Sequence, residues 1–339
     1  MAMSGLVIAD PIIKLVEQQV KDMGGILSGR EVKFINYDSR ANVAEAQAGC
    51  IRLLFQDKVS ALAVGGVTGA EQMAVMDFAE ENKIFFASIF EPVTEKLAEY
   101  KFTVNATVSN SEYSRVETEI AIKLLKPKRV AVLVDDQASM LAFTETCKNV
   151  LEAAGINIIY ENHVPLDAVD FLPYLTKIKY EKPDVLILNI SSNQGMIIIA
   201  KQIMELGGWG NIQVIAYPSA DSALKFPGAD GWYIMIAWFP GLTYPGAVKF
   251  EKDYQAMYGK LPTGNHVYFY NPLWTAICAI ELAGTDTDLV KIAQAARSGN
   301  LKWETPIGPA HFTSEGDSSL RYNIGHAESE MLVPVTMPE

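Results

Sequence analysis

The stretch from Val59 to Glu91 constrains the fold of this chain most, because it has the pattern of a strand, a turn, a helix and a second strand. A short apolar run ends at Gly65-Gly66, a helical segment follows from about Ala70 to Asn82, and a second apolar run, IFFASIF, comes next. Continuous apolar runs bounded by turns are typical of parallel strands that helices cover on both faces. The pattern therefore predicts an α/β fold.

The turn between the first strand and the helix comprises Gly66, Val67, Thr68 and Gly69. Open α/β sheets bind ligands at the carboxyl ends of their strands, where helix amino termini present unpaired N–H groups. Thr68 is a suitable N-cap, and its hydroxyl and the neighbouring amides are suited to holding an anion or a carbonyl group. A cap that binds no ligand is an equally good interpretation of this stretch.

Length and charge limit the class of protein. The 339 residues predict two domains, each of roughly 150 residues. A net charge of −12 argues against a nucleic-acid partner, which requires a basic surface. No apolar run approaches the ~20 residues of a membrane span, so we expect no direct membrane insertion.

Signatures of metal binding and catalysis are missing from the sequence. Cys50, Cys147 and Cys278 lie far apart without a CxxC pair, and the four histidines are scattered, so buried free thiols are expected. GxSxG, GxGxxG, GxxxxGK[ST] and HExxH do not occur. The acidic pairs Glu80-Glu81 and Asp135-Asp136 are interpreted as solvated charge. We therefore predict no catalytic site, no metal site and no cofactor.

Strand-like and helix-like segments alternate along most of the chain, which predicts parallel sheets with right-handed crossovers. A helix is predicted over Asp10–Met23 and a strand over Glu31–Tyr37. The further predicted elements are helices at Val43–Phe55, Ser111–Leu125, Met140–Ala154, Asp170–Tyr180, Gly195–Leu206, Ala247–Tyr258 and Tyr270–Leu282, strands at Arg129–Val134, Ile156–Glu161, Val185–Asn189, Gln213–Ala216 and Gly231–Trp238, and a hairpin in WETPIGPAHFTSEGDSS.

The order of these segments resembles the leucine/isoleucine/valine-binding protein family, the periplasmic binding proteins of fold type I. The likeness is carried by MGGILSGREVKFINYDSRANVAEAQAGCIRLLFQDKVSALAVGGVTGAEQ, by LLKPKRVAVLVDDQ, by YEKPDVLILN, by AKQIMELGGWG and by IGPAHFTSEGDSS. Each motif is weak alone, but their order and spacing are specific. The resemblance covers nearly the whole chain from about Ser4.

This resemblance implies two doubly wound parallel-sheet lobes joined by a three-strand hinge. The N-terminal lobe would comprise residues 1–107 and 241–322, and the C-terminal lobe residues 108–240 and 323–339. The crossovers are expected near Asn105–Ser109, Phe239–Tyr244 and Leu320–Gly325. Ser4-Gly5 matches the residues that follow the family's first strand, and neither that strand nor a signal peptide is found in this sequence.

The function implied by the resemblance is that of a solute-binding component of an ABC importer, located in the periplasm or otherwise outside the cytoplasm. Its partners would be a small-molecule ligand, trapped in the cleft between closing lobes, and a membrane permease. An amino-acid-binding protein proper and a ligand-sensing domain of the same fold are the alternatives. An enzyme is disfavoured because no catalytic constellation is found.

The positions that bind ligand in the family depart here from the amino-acid-binding pattern. The position that receives an α-ammonium falls near the neutral Ser219, and Asp221 lies two residues on. Glu91 adds a charge: in the cleft it would contact the ligand and favour a cationic or hydrogen-bond-donating group, whereas in solvent, the commoner place for a glutamate, it would leave the pocket aromatic and neutral. The predicted ligand-binding residues are Thr68, Gly69, Phe90, Glu91, Ser139, Asn189, Tyr217, Ser219, Trp238 and Tyr268. An aromatic or aliphatic carboxylate, held by the Thr68 turn and enclosed by aromatic rings that include Tyr270, is the predicted ligand, with an amino-acid-like compound as the alternative.

Overall fold

The structure, a computed structural model, describes residues 6–66, 68–89, 97–108, 113–217 and 220–336. The chain divides into two compact units. Unit 1 comprises Met1–Ser111 and Leu242–Arg321, and unit 2 comprises Glu112–Gly241 and Tyr322–Glu339.

Unit 1 contains a parallel three-stranded sheet in the order β1-β2-β3 and an antiparallel hairpin. The strands are β1 (Leu62–Val64), β2 (Phe86–Ser88), β3 (Thr103–Asn105), β9 (Lys302–Thr305) and β10 (Gly308–His311). The helices are α1 (Leu6–Asp22), α2 (Val43–Ile51), α3 (Gly69–Asn82), α8 (Pro245–Tyr258), α9 (Gly264–Ala283) and α10 (Leu289–Ala296), and a π-helical turn at Arg52–Gln56 extends α2. The predicted hairpin in the carboxyl-terminal region is confirmed by β9 and β10.

Unit 2 is built on a seven-stranded sheet in the order β12-β11-β8-β7-β6-β4-β5. Its strands are β4 (Arg129–Asp135), β5 (Asn157–Val164), β6 (Val185–Asn189), β7 (Gln213–Ala216), β8 (Tyr233–Ile236), β11 (Asn323–Glu328) and β12 (Met331–Pro334). Its helices are α4 (Tyr113–Ile120) with a π-helical turn at Ala121–Leu125, α5 (Ala138–Ala153), α6 (Leu172–Glu181) and α7 (Asn193–Glu205). The strands from β8 to β5 are parallel, whereas β11 and β12 are antiparallel to their neighbours.

The sheet core of unit 2 explains why its strands were predictable. All five residues of β6 are buried, as are the last six of β4, because helices cover both faces of a parallel sheet.

The three cysteines are free thiols. Cys147 is buried on α5 of unit 2, Cys50 is buried in unit 1, and Cys278 is partly buried. The expectation of buried free thiols is thus confirmed for Cys50 and Cys147.

Two predicted elements of unit 1 differ from the structure. Residues 31–37 form no strand and pair with none among the described residues, so the predicted strand at Glu31–Tyr37 is wrong. Helix α1 begins at Leu6 rather than at Asp10 and includes Pro11. Pro11 therefore lies in the second turn of α1 rather than at its first position, and it removes one backbone hydrogen bond to residue 7.

Candidate ligand-binding site

The carboxyl ends of three neighbouring strands bring polar groups together at one edge of the unit 2 sheet. β4 ends at Asp135 and β6 ends at Asn189, and Val134 of β4 pairs with Asn189 in register. β7 lies on the other side of β6, and Tyr217 follows its last residue. This edge is where open α/β sheets bind ligands.

Four aromatic rings pack against one another at this edge, and we call them the aromatic cluster: Tyr113, Phe143, Tyr217 and Tyr322. Tyr113 stacks on Phe143, with ring centroids 5.6 Å apart and planes 19° apart. The centroid of the Tyr217 ring lies 4.9 Å from that of the Tyr113 ring and 5.2 Å from that of the Tyr322 ring, and Tyr217 and Tyr322 meet edge to face. Phe143 is fully buried, while Tyr113 and Tyr217 are half-buried and present part of their rings. Such rings present an apolar surface that suits the planar or apolar part of a ligand.

The hydroxyl groups of Tyr113 and Tyr217 are neutral at physiological pH. Burial raises the pKa of both Tyr113 and Tyr217 above the ordinary phenol value. The Tyr217 and Tyr322 hydroxyl oxygens lie 3.0 Å apart, and the Tyr113 hydroxyl lies 3.9 Å from the Met140 sulfur. A neutral phenol both donates and accepts a hydrogen bond, so these groups suit a carboxylate or a hydroxyl.

Hydrogen bonds link the Tyr217 backbone to Asn189, and Asn189 in turn to Glu117. The Tyr217 backbone N–H donates to Asn189 Oδ1 at 2.8 Å, and Asn189 Nδ2 donates to Glu117 Oε2 at 2.8 Å. Glu117 is fully buried on α4, and burial raises the pKa of its carboxyl to about 8. Both ends of the Asn189 amide are used within unit 2, so this residue positions the Tyr217 loop.

Asp135 joins two loops at the same edge. It is fully buried, and its two oxygens accept hydrogen bonds from the backbone N–H groups of Gln137, at 3.1 Å, and Ser191, at 2.6 Å. The interpretation of Asp135 as solvated charge is therefore wrong, while Asp136 is exposed as expected. The physical reason is that backbone N–H groups of two separate loops stabilise this carboxylate at the strand end. The local sequence around Asp135 does not show that the second loop lies within reach.

In unit 1, the turn after β1 is fixed by its own side chains. Thr68 caps α3, because its Oγ1 accepts a hydrogen bond from the Glu71 backbone N–H at 3.2 Å. Glu71 Oε2 in turn accepts from the Thr68 N–H at 3.0 Å and hydroxyl at 2.9 Å, which completes a capping box. The predicted N-cap is thus confirmed, and a buried carboxylate already lies under this helix amino terminus.

Glycine is required in this turn for two reasons. Gly65 and Gly66 have φ values of +81° and +108°, in a region that residues with a Cβ rarely adopt. A Cβ on Gly65 would also overlap the Phe86 ring, and one on Gly66 would lie 2.7 Å from the Glu71 carboxyl carbon. Both positions therefore require glycine, and Gly69, the first residue of α3, is exposed.

A threonine-to-valine change at position 68 tests this cap. Valine keeps the shape but removes the oxygen that accepts from Glu71, so we expect Thr68→Val to lower the free energy of unfolding by about 1 kcal/mol. Thr68→Ser keeps the oxygen and serves as the control. Chemical denaturation of the three proteins measures the difference, and a valine variant as stable as the wild type would contradict the capping role.

Comparison with known proteins shows the family. A profile of the family described as periplasmic binding protein matches residues 13–324 of this chain. The chain belongs to this family. Comparison with curated protein sequences found no match.

Solved structures of periplasmic binding proteins have the same fold over almost the whole chain. An ABC transporter substrate-binding protein from Sphaerobacter thermophilus is 17% identical, with a TM-score of 0.83, and the alignment covers 98% of this chain and 93% of that one. A solute binding protein of an ABC transporter from Rhodopseudomonas palustris BisB5, in complex with 3,4-dihydroxy benzoic acid, is 23% identical, with a TM-score of 0.77 and coverage of 98% and 92%. The branched-chain amino acid transporter substrate binding protein LivJ from Streptococcus pneumoniae, in complex with isoleucine, is 16% identical, with a TM-score of 0.78 and coverage of 99% and 96%. The family and these structures confirm the predicted resemblance and the type I periplasmic binding protein fold.

The remaining predicted site residues of this periplasmic binding protein fall in different places. Trp238 is fully buried in unit 2, and Tyr268 lies partly buried on α9 in unit 1. Ser139 is the second residue of α5, at the carboxyl edge of the unit 2 sheet. Tyr270, one of the aromatic candidates, donates its hydroxyl to Gln19 at 2.8 Å in the core of unit 1. Phe90, Glu91 and Ser219 lie outside the described residues.

Sequence reasoning missed Tyr113, Phe143, Tyr322, Glu117 and Asp135 as members of the site. Tyr113 and Tyr322 stand where the chain enters unit 2 for the first and second time, at residues 112 and 322. Aromatic residues close to the predicted crossovers were therefore a usable signal. No comparable signal marks Glu117, whose burial follows from the packing of α4.

In the part of the chain that the structure describes, no group of three or more His, Cys, Asp or Glu side chains is placed to hold a metal ion. Among the same residues, no helix combines the length and the apolar character that crossing a bilayer requires.

Proposed function

We propose that this protein is the solute-binding component of an ABC importer and that it binds a small organic ligand against the aromatic cluster of unit 2. The observation that carries the proposal is the cluster itself, four packed rings at the carboxyl edge of a parallel sheet. Membership of the periplasmic binding protein family supports binding without turnover. The partner would be a membrane permease, and the location periplasmic or otherwise extracytoplasmic.

For the ligand class we propose an aromatic or aliphatic carboxylate. The aromatic cluster supplies apolar surface, and its neutral hydroxyl groups supply donors for a carboxylate. The carboxyl groups of Asp135 and Glu117 are fully buried below the edge and engaged in hydrogen bonds within unit 2. Glu71 is similarly engaged at the Thr68 turn of unit 1, so that turn favours a neutral oxygen over a second carboxylate.

A specific observation supports the amino-acid alternative. Asp221 is exposed on the 3-10 turn Ala220–Ala223, which follows β7 closely. A carboxylate there is a suitable partner for an α-ammonium group. Thr68, Gly69 and Ser139 stay predictions as direct ligand contacts under both alternatives.

Exchange of Asp221 for asparagine separates the two ligand classes. If the ligand is a carboxylate without an ammonium group, Asp221→Asn should leave its affinity within about twofold. If the ligand is a zwitterionic amino acid, loss of the charged partner should weaken binding by at least about tenfold. Calorimetric titration of both variants with the identified ligand measures this, and a large loss for an aromatic acid would contradict the proposed class.

Ligand identity is best sought on gently purified protein. Native mass spectrometry is expected to show a bound mass in the range of a small organic acid, and melting curves with that compound should shift upward with its concentration. Closure of the lobes stays a prediction of the family resemblance, and a smaller radius of gyration in the presence of ligand would support it. Protein that carries no ligand and whose melting midpoint responds to no acid or amino acid would contradict the proposed function.

A further inference from the structure

The start of α9 in unit 1 is held by a histidine. Thr263 precedes the first residue of α9, and His266 is the third residue of the helix. The Thr263 backbone N–H donates to His266 Nδ1 at 2.9 Å, and the Thr263 hydroxyl oxygen lies 2.8 Å from the same nitrogen. Glu71 accepts from Thr68 in the same way at the start of α3, so an imidazole nitrogen here takes the place of a carboxylate. We call this contact between Thr263 and His266 Nδ1 the His266 cap.

The hydrogen bonds of the His266 ring fix its tautomer. A backbone N–H can only donate, so Nδ1 is the acceptor and carries no proton. The neutral ring then carries its proton on Nε2, which lies 3.0 Å from the hydroxyl oxygen of Tyr254 on α8. The two rings also meet edge to face, with centroids 4.9 Å apart. The neutral ring therefore joins the start of α9 to α8.

The groups around His266 disfavour a positive charge on its ring. The side chain is half-buried, and burial lowers the pKa of His266 below its ordinary value of 6.5, with the positive charge of Lys260 acting in the same direction. Tyr254 and Tyr258 face it from α8, and burial raises the pKa of both, so they stay neutral. None of the ion pairs that the described residues form between a histidine and a carboxylate involves His266.

α9 is the central helix of unit 1. Its 20 residues contact α1, α10, β1 and β2, and most of them are buried. Its first turn lies at the edge of this packing, because Thr263 and residue 265 are exposed. The first turn therefore depends on its cap more than the rest of the helix does.

We propose that the His266 cap is a pH-sensitive contact of unit 1, which holds the first turn of α9 on α8 at neutral pH and releases it when His266 Nδ1 is protonated in mildly acidic solution. A proton on Nδ1 occupies the lone pair that the Thr263 N–H and hydroxyl use, so the cap and the charged ring exclude one another.

The direction of the pH effect follows from the two states of the chain. The unfolded chain binds a proton on His266 at a higher pH than the folded chain does, because the folded-state pKa lies below 6.5. The contribution of the cap to stability is therefore complete above a pH of about 6.5 and is lost as the pH falls below that value.

His311 provides a matched control in the same unit. Its Nε2 lies 2.8 Å from the carbonyl oxygen of Gly299, which is an acceptor. The His311 ring therefore donates to that oxygen in its neutral and in its charged form. Protonation of His311 breaks no such contact, whereas protonation of His266 does.

Nitrogen NMR spectra of histidine-labelled protein test the tautomer. At about pH 7.5, the His266 ring is expected to carry its proton on Nε2 alone and to titrate with a midpoint below 6.5. Glutamine variants of the other three histidines assign the His266 signal by elimination, so this measurement needs no variant at position 266. A proton on Nδ1 at neutral pH, or a midpoint at or above 6.5, would overturn the proposal.

Amide hydrogen exchange over residues 264–267 tests the release of the first turn. Between about pH 7.5 and about pH 5.5, after correction for the intrinsic exchange rate, protection there should fall roughly fivefold in the wild type and in His311→Gln, the factor expected for a lost cap. In His266→Gln it should stay constant, because a glutamine oxygen accepts from the Thr263 N–H at every pH. Equal loss of protection in all three proteins, or none in the wild type, would overturn the proposal. Because no ligand is added, the result is independent of the proposed function.

Discussion

Glu117→Gln is expected to remove a loss of stability that the wild-type protein shows as the pH rises from about 5 to about 9. The Glu117 carboxyl is fully buried on α4, and this burial raises its pKa from the ordinary value of 4.5 to about 8. Between these values the folded protein holds a proton that the unfolded chain has released, so stability falls with rising pH. A rise of this size corresponds to at most about 5 kcal/mol, and glutamine mimics the protonated acid without titrating.

Urea denaturation at several pH values between 5 and 9 measures this effect. The pKa of Cys147 is raised by burial to about 12, and that of Tyr113 is raised as well, so neither neighbour titrates in this range. Glu119→Gln is the matched control, because Glu119 lies on the same helix but pairs with Arg115 at 2.6 Å with about two-fifths of its side chain exposed. Parallel pH profiles for the wild type and Glu117→Gln would contradict the assignment of a buried neutral acid.

Tyr217→Ala is expected to weaken ligand binding by at least about thirtyfold, or about 2 kcal/mol. Tyr217 is the central ring of the aromatic cluster, since it contacts both Tyr113 and Tyr322. Its removal deletes ring surface and the hydroxyl together. Tyr217→Phe keeps the ring contacts and loses only the hydroxyl, so we expect a loss of about fivefold.

Tyr180→Ala serves as the control for this series. Tyr180 belongs to the same unit but is 77% exposed on α6, so its loss should change neither stability nor affinity. Calorimetric titration gives the affinities, and melting curves confirm that each variant is folded. Affinity unchanged in a folded Tyr217→Ala protein would place the ligand elsewhere than the aromatic cluster.

The parts of the fold that sequence predicted are those that local patterns specify. The apolar runs of β4 and β6 identify buried parallel strands, and Thr68 with Glu71 three residues later specifies the start of α3. Residues 31–37 have the composition of a strand but pair with no strand among the described residues. Pairing requires a neighbouring strand, and the sequence of residues 31–37 alone does not show whether one is there.

The candidate site was only partly predictable for a similar reason. Asn189 and Tyr217 were found because they end or follow apolar strands, and such positions meet at one sheet edge. Tyr113 and Tyr322 are each more than a hundred residues from Tyr217 along the chain, so only folding brings the three rings together. Asp135 was misjudged because its burial depends on amides supplied by two separate loops.

The proposed binding of a small organic acid at the aromatic cluster is tested most directly by one calorimetric series. Benzoate, 4-hydroxybenzoate, a short aliphatic acid, leucine and valine are titrated into the wild-type protein under identical conditions. Binding of at least one aromatic or aliphatic acid more tightly than either amino acid is the expected result. Submicromolar binding of leucine, with no response to any of the acids, would contradict the account and identify an amino-acid-binding protein.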